Sequence, residues 1–322
     1  MEPRKRRELI LGLTELKHGP GLEIAPLHTP VARKEDWDVS YVDIVSTDQL
    51  IEHYAKDDAV PNEDIVEVDF PLTAPDGTIR TLAEVAAARA PFDWVIASHV
   101  IEHVPDLITW LDDIAALLRD GGALVLAVPD RRYSFDAYRP QTTVGQMLQA
   151  HHQGDVVPSV RAVYDALHSA SSITAAEAWA GRGRGLKKTR IHPHTQVMPL
   201  VERAKAGQYI DSHVWTFRPS TLIEQINELG QLGLCEFVVE KVRNTRPNEL
   251  EFFVVLRRLP RERTPEQDTA LRAAAKHRTN DEPKPATPSA PPAMTLSERE
   301  QRLIRRKREV VSKARRVLRR DR

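Results

Sequence analysis

The sequence predicts an α/β fold, a doubly wound and mostly parallel sheet that ends in an antiparallel hairpin. Three observations carry that expectation. Between Gly21 and Asp130, apolar runs of strand length alternate with helical patterns over short connections, as in a parallel sheet covered by helices on both faces. The last two apolar runs, "LCEFVVEKV" and "LEFFVVLRRL", are separated only by "RNTRPNE", which suits a hairpin. The chain has 322 residues, 41% of them apolar, so it can bury a sizeable core in one large domain or two.

The elements follow in order. Leu22-Glu23-Ile24 is the first strand and runs into the loop "APLHTP". "DVSYVDIVS" gives a second strand ending at Asp43. In "TDQLIEHYAKD", Thr47 or Asp48 caps a helix with Leu50, Ile51 and Tyr54 at helical spacing. "EDIVEVDFP" reads as a third strand ending at Asp69, "TLAEVAAARA" as a helix and "FDWVIASHV" as a fourth strand. "PDLITWLDDIAALLRDGG" has a proline near its start, an apolar stripe and two glycines to stop it. "ALVLAVPD" is the fifth strand. From about Arg131 to Ser212 regularity is lost, apart from a helical "VPSVRAVYDALHSA". "RPSTLIEQINELGQLG" is an amphipathic helix capped by Ser220 and Thr221. Residues 1–259 thus read as one domain. Beyond them, "KHRTNDEPKPATPSAPPAMT" is almost without large apolar residues, so 260–295 reads as a disordered linker.

Composition excludes several classes. The single cysteine, Cys235, rules out a disulfide framework and a cysteine zinc site, and points to a reducing, cytoplasmic setting. The basic N-terminus lacks the uninterrupted apolar run of a signal peptide, and no run is long enough to span a membrane. The zero net charge hides a division: residues 296–322 carry 12 basic and 4 acidic side chains, leaving an acidic body. In that tail Leu296, Leu303, Val310 and Val317 recur every seven residues, flanked by Ile304, Val311 and Leu318. One apolar stripe on a strongly basic helix suits an anionic membrane surface. Nucleic acid is the less favoured partner because few aromatic residues accompany the charge. A coiled coil is weaker still, because Glu300, Lys307 and Ala314 stand where a second apolar row belongs. A solvated tail with no partner is about as good a reading as the membrane.

In open α/β sheets the ligand lies beyond the carboxyl ends of the strands. There the sequence places Glu23 with Ala25-Pro26-Leu27, then Asp43, Asp69-Phe70, Ser98-His99, and Asp130-Arg131-Arg132-Tyr133. An acid ending the second strand suits the vicinal hydroxyls of a ribose, since a carboxylate accepts from both. Asp69 could accept from a purine amine with Phe70 against the ring. The first loop has no glycine pair for a pyrophosphate, so a nucleoside without phosphate fits better.

These residues resemble the class I S-adenosylmethionine-dependent methyltransferases, chiefly through "FDWVIASHVIEHVPDLITWLDDIAALLRDGGALVLAVPD", over roughly Gly21 to Leu259. The resemblance implies a Rossmann-like fold and S-adenosyl-L-methionine as cofactor. It would place Glu23 to Leu27 at the methionine side, Asp43 at the ribose, Asp69-Phe70 at the adenine, and Ala97, Ser98 and His99 beneath the sulfonium. This chain departs from the family at Ala25, where a glycine is usual, and alanine disfavours a left-handed backbone.

Methyl transfer to an alcohol needs alignment and removal of a proton. His99 and His213 are the candidate bases, and His192 and His194 read as solvated. His99 and His103, four apart with Glu102 between, could make a metal pair; a packing or capping role for Glu102 and His103 is favoured, and no metal is expected. The segment 131–212 is long enough for a lid, and its Asp130, Arg131, Arg132 and Tyr133, with Trp215, are candidate contacts to a polyhydroxylated or acidic substrate. Family resemblance suggests a sugar hydroxyl in polysaccharide biosynthesis, or another small-molecule acceptor. A rival reading of another class is a catalytically inactive module of the same fold that acts through its tail.

Overall fold

The computed structural model describes residues 2–275 apart from 15, 17, 18, 183 and 184. The basic tail and most of the Pro-rich stretch lie outside the described residues.

The strands are β1 (Gly21–Ile24), β2 (Val39–Asp43), β3 (Phe70–Pro71), β4 (Phe92–Ser98), β5 (Leu118–Pro129), β6 (Phe237–Arg243) and β7 (Glu251–Arg258). They form one sheet in the order β3-β2-β1-β4-β5-β7-β6. The first five are parallel, and β7 runs antiparallel to both β5 and β6. The expected fold class therefore holds, terminal hairpin included. Strand order reverses between β1 and β4, which opens a crevice at their carboxyl ends.

Strand alternation sorts the apolar residues onto two faces. Val95 and Ala97 of β4, Leu124, Leu126 and Val128 of β5, and Phe252, Val254 and Leu256 of β7 belong to the larger core. It is closed by α4 (Leu107–Leu117), α5 (Val144–Gln153) and α10 (Pro219–Gln231). Trp94 and Ile96, Ala123 and Val125, and Phe253 and Val255 face the other way. On this side residues 25–38 cross from β1 to β2 as a loop without a helix. Pro26 and Pro30 interrupt any helix there. Val31 and Ala32 from that crossing cover the face together with Ile10 of an N-terminal helix, α1 (Pro3–Leu11).

Gly21 is where that face is tightest. A Cβ on it would stand 2.1 Å from the ring of Trp94, which is buried at 1% exposure. Gly21→Ala is expected to destabilise the domain by about 1–3 kcal/mol through overpacking. Urea unfolding measures this; an unchanged midpoint would mean the indole yields freely.

Three other expectations need correction. The third strand shrinks to two residues because the amides of Val66 and Val68 donate elsewhere, to Leu27 O (2.9 Å) and Thr47 Oγ1 (2.9 Å). The segment 131–212 is not irregular; besides α5 it holds α6 (Val160–Ser169), α7 (Ala175–Trp179), α8 (Leu186–Thr189) and α9 (His194–Lys205). α6 and α9 share a small core of Val163, Val197, Val201, Ala204 and Ile210. The linker does not begin at 260: α11 (Pro265–Ala274) is N-capped by Thr264, and Arg272 donates to Cys235 O and Phe237 O at 2.9 and 3.2 Å. Helix caps differ by one residue or two. Ser46 caps α2 (Thr47–Tyr54), and α10 starts at Pro219 with Arg218 as its cap.

Candidate active site at the carboxyl ends of the strands

The loop after β1 keeps the turn that glycine would make, with other residues. Ala25 (φ 51°) and Leu27 (φ 50°) are both left-handed. Such residues cost about 1–2 kcal/mol each outside glycine, and persist only where the surroundings impose them. Glu23 imposes part of it. Its two carboxylate oxygens accept from the amides of Val31 (2.7 Å) and Ala32 (2.9 Å), pulling the far side of the loop onto β1. Glu23 is 1% exposed, and burial raises its pKa to about 7 against the opposing effect of those two amides. The expected cofactor contact of Glu23 is therefore corrected: its carboxylate is enclosed and holds the loop. Ala25 is exposed, Pro26 is buried and Thr29 N–H closes a turn onto Pro26 O at 3.0 Å.

Asp43 stands where expected, at the carboxyl end of β2. Among the described residues its carboxylate accepts one hydrogen bond, from Ile44 N–H at 2.7 Å. Burial raises its pKa to about 6. A desolvated carboxylate with one oxygen left for two donors has the chemistry a ribose needs. Asp69 does not match its expected place. Phe70 is level with Val42 and Pro71 with Asp43, so Asp69 lies back along the sheet beside Tyr41. There it accepts from Tyr41 N–H and Lys34 Nζ, both at 2.7 Å, instead of facing an adenine. Phe70 is half-buried and packs one side against the larger core.

His99 follows β4 in a left-handed conformation (φ 56°). Its Nε2 lies 3.0 Å from Glu251 Oε2 and its Nδ1 3.5 Å from Glu102 Oε1. Burial alone would lower its pKa, but the two carboxylates override this and raise it to about 9. The two carboxylates thus favour the protonated form of His99, which argues against the base role that the sequence suggested. Glu251, the first residue of β7, is held down at about 2 despite its burial, by His99 and by Arg6. Arg6 of α1 donates to both Glu251 oxygens at 2.7 Å and to Ser98 Oγ at 2.7 Å. Arg6 and Glu251 went unnoticed in the sequence. Glu251 had one available signal, as the charge that opens an otherwise apolar run.

His213 lies in an irregular stretch tied down by the Val214 and Trp215 amides, which donate to Glu102 O at 2.7 and 3.1 Å. This sets its ring against that of His103, with centroids 4.7 Å apart. His213 Nδ1 is 2.5 Å from Asp136 Oδ2, and Asp136 also receives Arg139 at 3.0 Å. Burial would raise Asp136, but His213 and Arg139 bring it below the usual carboxylate range. Across the crevice His103 Nδ1 is 2.8 Å from Asp211 Oδ1, which lowers Asp211. Burial lowers and Asp211 raises His103, and the net shift is upward. Asp211 and Tyr209, from the segment after α9, both act on the charge balance near Asp43 and Tyr54, so the insertion reaches the cleft.

The expected substrate contacts turn inward. Asp130 is fully buried and binds Arg132 and Thr245 Oγ1 (2.7 Å). Arg131 donates to Arg139 O at 2.7 Å. Tyr133 is stacked on Trp179, centroids 4.0 Å apart, with Arg132 over its ring. Trp215 is 1% exposed and donates to Val104 O at 2.7 Å. Asp130, Arg131, Arg132 and Trp215 thus use polar atoms in contacts within the protein, and Tyr133 uses its ring against Trp179. A separate cavity of about 260 Å³ opens at the opposite, amino ends of the strands, lined by Asp93, Trp94, Arg119 and Arg257. Its arginines are paired, Arg119 with Asp93 and Arg257 with Glu240.

A sheet of this order, with a crevice at the carboxyl ends of β1 and β4 and a buried carboxylate at the end of β2, is the setting of a Rossmann-like cofactor site. Residues 19–189, more than half of the chain, match the family described as "Methyltransferase domain". The chain belongs to the class I S-adenosylmethionine-dependent methyltransferase family, and is an enzyme of that class with S-adenosylmethionine as cofactor. No protein with a curated description matches it. Among solved structures, a Rhodobacter sphaeroides protein described with the Zn-dependent alcohol dehydrogenases is 12% identical, covering 79% of this chain and 89% of its own (TM-score 0.42). The CcbJ methyltransferase from Streptomyces caelestis is 14% identical over 80% of this chain and 90% of its own (TM-score 0.41). A SAM-dependent methyltransferase from Methanosarcina mazei is 13% identical over 78% and 97% (TM-score 0.36). At these values the likenesses convey nothing about substrate.

Proposed function

We propose that the enzyme methylates a hydroxyl oxygen of a small, neutral, polyhydroxylated acceptor, with a sugar as the leading class. The observation that carries this reading is the buried His213–Asp136 pair, whose second imidazole nitrogen lies 3.8 Å from Glu102, three residues beyond His99 at the end of β4. The cofactor supplies a methyl carbon on a cationic sulfur. Asp43, Glu102, Asp211 and Glu251 around the crevice favour such a cation and disfavour an acidic acceptor. Arg131 and Arg132, which had suggested an acidic acceptor, are turned toward backbone and Asp130. In this reading Asp43 accepts from the ribose hydroxyls, and the turn at Ala25 to Leu27 seats the methionine side. Ser98 is held by Arg6, and His99 is fixed between two carboxylates as a positioning residue. His213 Nε2 is left to assist loss of the acceptor proton. The helical insertion then serves as the substrate lid.

The basic stripe of residues 296–322 supports attachment to an anionic membrane surface on the cytoplasmic side, where lipid-linked glycans would be at hand. That segment lies outside the described residues, and among those described no helix is long and apolar enough to cross a membrane.

Calorimetry with S-adenosylhomocysteine tests the cofactor half. Loss of hydrogen bonds to a charged acceptor in Asp43→Ala should weaken binding about 10–100-fold. Because ribose needs the ionised carboxylate, affinity should also fall as pH drops below about 6, by close to tenfold per unit. Unchanged affinity in Asp43→Ala would remove Asp43 from the site. An acceptor panel of sugars, phenols and amines, read by product mass, tests the rest. Methylation of amines alone would overturn the hydroxyl assignment.

A further inference from the structure

Three ligand-type atoms converge beside His99. Glu102 is 0% exposed and neither of its carboxylate oxygens makes a hydrogen bond, although His99 Nδ1 stands 3.5 Å from Oε1 as an ion-pair neighbour. His213 Nε2 lies 3.8 Å from Glu102 Oε1, and His103 Nε2 lies 4.0 Å from it. One atom from each residue falls within 4.8 Å of the other two. A buried carboxylate without donors is costly, and native structures rarely leave one so.

The far side of each imidazole completes the pattern. His213 Nδ1 faces Asp136 at 2.5 Å, and His103 Nδ1 faces Asp211 at 2.8 Å. A carboxylate behind a ring fixes the proton on Nδ1 and leaves the Nε2 lone pair outward, as in histidines that bind metals. Here this occurs twice, and both Nε2 atoms lie within 4.0 Å of the same carboxylate oxygen, Glu102 Oε1.

The geometry points to a divalent-cation site formed by Glu102, His103 Nε2 and His213 Nε2. Metal–ligand bonds of about 2.0–2.2 Å need the three side chains to draw together by less than about 1 Å. His103, whose side chain is 29% exposed, has room for that movement. Two imidazoles and one carboxylate suit a first-row transition ion such as manganese, iron, cobalt or zinc; calcium and magnesium prefer oxygen shells. The sequence had offered His99 and His103 as a pair, but His99 is turned to Glu251. The third ligand comes instead from His213, far along the chain.

Three protein ligands leave positions open toward the crevice. The role of the ion rests on the hydroxyl reading above. An acceptor with two adjacent oxygens, a vicinal diol, could chelate it, and the ion would ease loss of one hydroxyl proton to solvent. The C–O bond then forms as the C–S bond breaks, and sulfur keeps the electron pair as a neutral thioether. With the ion bound, His213 assists loss of that proton as one of the ion's ligands, in place of taking it up directly.

The test uses untagged full-length protein stripped with a chelator and titrated with Co²⁺, followed by calorimetry and visible absorption. One Co²⁺ per chain, displaced by Zn²⁺, is expected. Glu102→Gln and His213→Gln should each weaken binding at least 100-fold, and Asp211→Asn about 10–100-fold through the ring it orients. Asp211 has a 74% exposed side chain, so its variant tests the site without disturbing a core. S-adenosylhomocysteine affinity, measured on every sample, separates lost ligands from lost folding. A wild-type chain that binds S-adenosylhomocysteine but no Co²⁺, or Co²⁺ binding unchanged in all three variants, would overturn the cation site and leave methyl transfer standing. Co²⁺ bound by a chain that binds no S-adenosylhomocysteine would keep the site and overturn the hydroxyl-transfer reading.

Discussion

Glu251→Ala is expected to lose about 3 kcal/mol of stability and to loosen the N-terminal helix. Glu251 carries a side chain only 9% exposed and accepts two hydrogen bonds from Arg6 and one from His99. Removing it leaves an arginine and an imidazolium facing each other, with Glu102 as the nearest remaining anion. Breaking a buried pair from one side costs about 3–5 kcal/mol, and the lower end applies because the Arg6 side chain is 25% exposed. Urea unfolding gives the magnitude. Limited trypsin digestion gives the place, since Arg4, Lys5, Arg6 and Arg7 lie together in α1 and should be cut faster once Arg6 is released. Equal digestion rates with a loss below about 1 kcal/mol would show that the helix is held by Ile10 and its apolar neighbours alone.

Glu23→Gln is expected to remove a pH dependence. The folded-state pKa of Glu23 is about 7 against an ordinary 4.5, raised by burial. The folded protein therefore binds this proton more tightly than the unfolded chain. Its contribution is fully present below about pH 4.5 and is lost as pH rises through about 7, on the order of 3 kcal/mol for such a shift. Asp43 is raised in the same sense and His99 titrates higher, so the wild-type profile mixes several groups. The difference between wild type and Glu23→Gln isolates one of them. Wild type should be favoured over the glutamine variant more strongly at pH 5 than at pH 8, by about that amount. Parallel profiles would mean that the Val31 and Ala32 amides hold Glu23 ionised throughout.

The parts of the fold that sequence revealed are those where a period reports burial directly. β4, α4 and β5 form an unbroken alternation, and "LEFFVVLRRL" with its partner run shows a hairpin. The failures occur where backbone groups find partners outside the expected element. Val66 and Val68 resemble a strand by residue type, yet their amides go to Leu27 O and Thr47 Oγ1. The insertion hid its helices because capping residues and short apolar pairs were scattered among histidines and glycines. At the site, position was more legible than state. The sequence put Asp43 and His99 at strand ends correctly, but the protonation of His99 depends on Glu251, which lies 152 residues away. Asp69 failed through register alone, since two residues along a strand decide whether a carboxylate faces the crevice or a neighbouring backbone.

The placement of β7 between β5 and β6 also governs how the molecule comes into being. Arg6 and Glu251 are separated by 245 residues, a delay on the order of 10–50 s during synthesis. For the second half of that interval, once β5 has been made, its outer edge has no neighbour, and an unpaired apolar edge invites other chains. Over the same interval Arg6 lacks the carboxylate that later accepts two of its hydrogen bonds. The last hairpin thus closes the sheet and pairs Arg6 in a single late event, so a ribosome stalled before Glu251 would carry a chain with an open β5 edge and Arg6 still without its carboxylate.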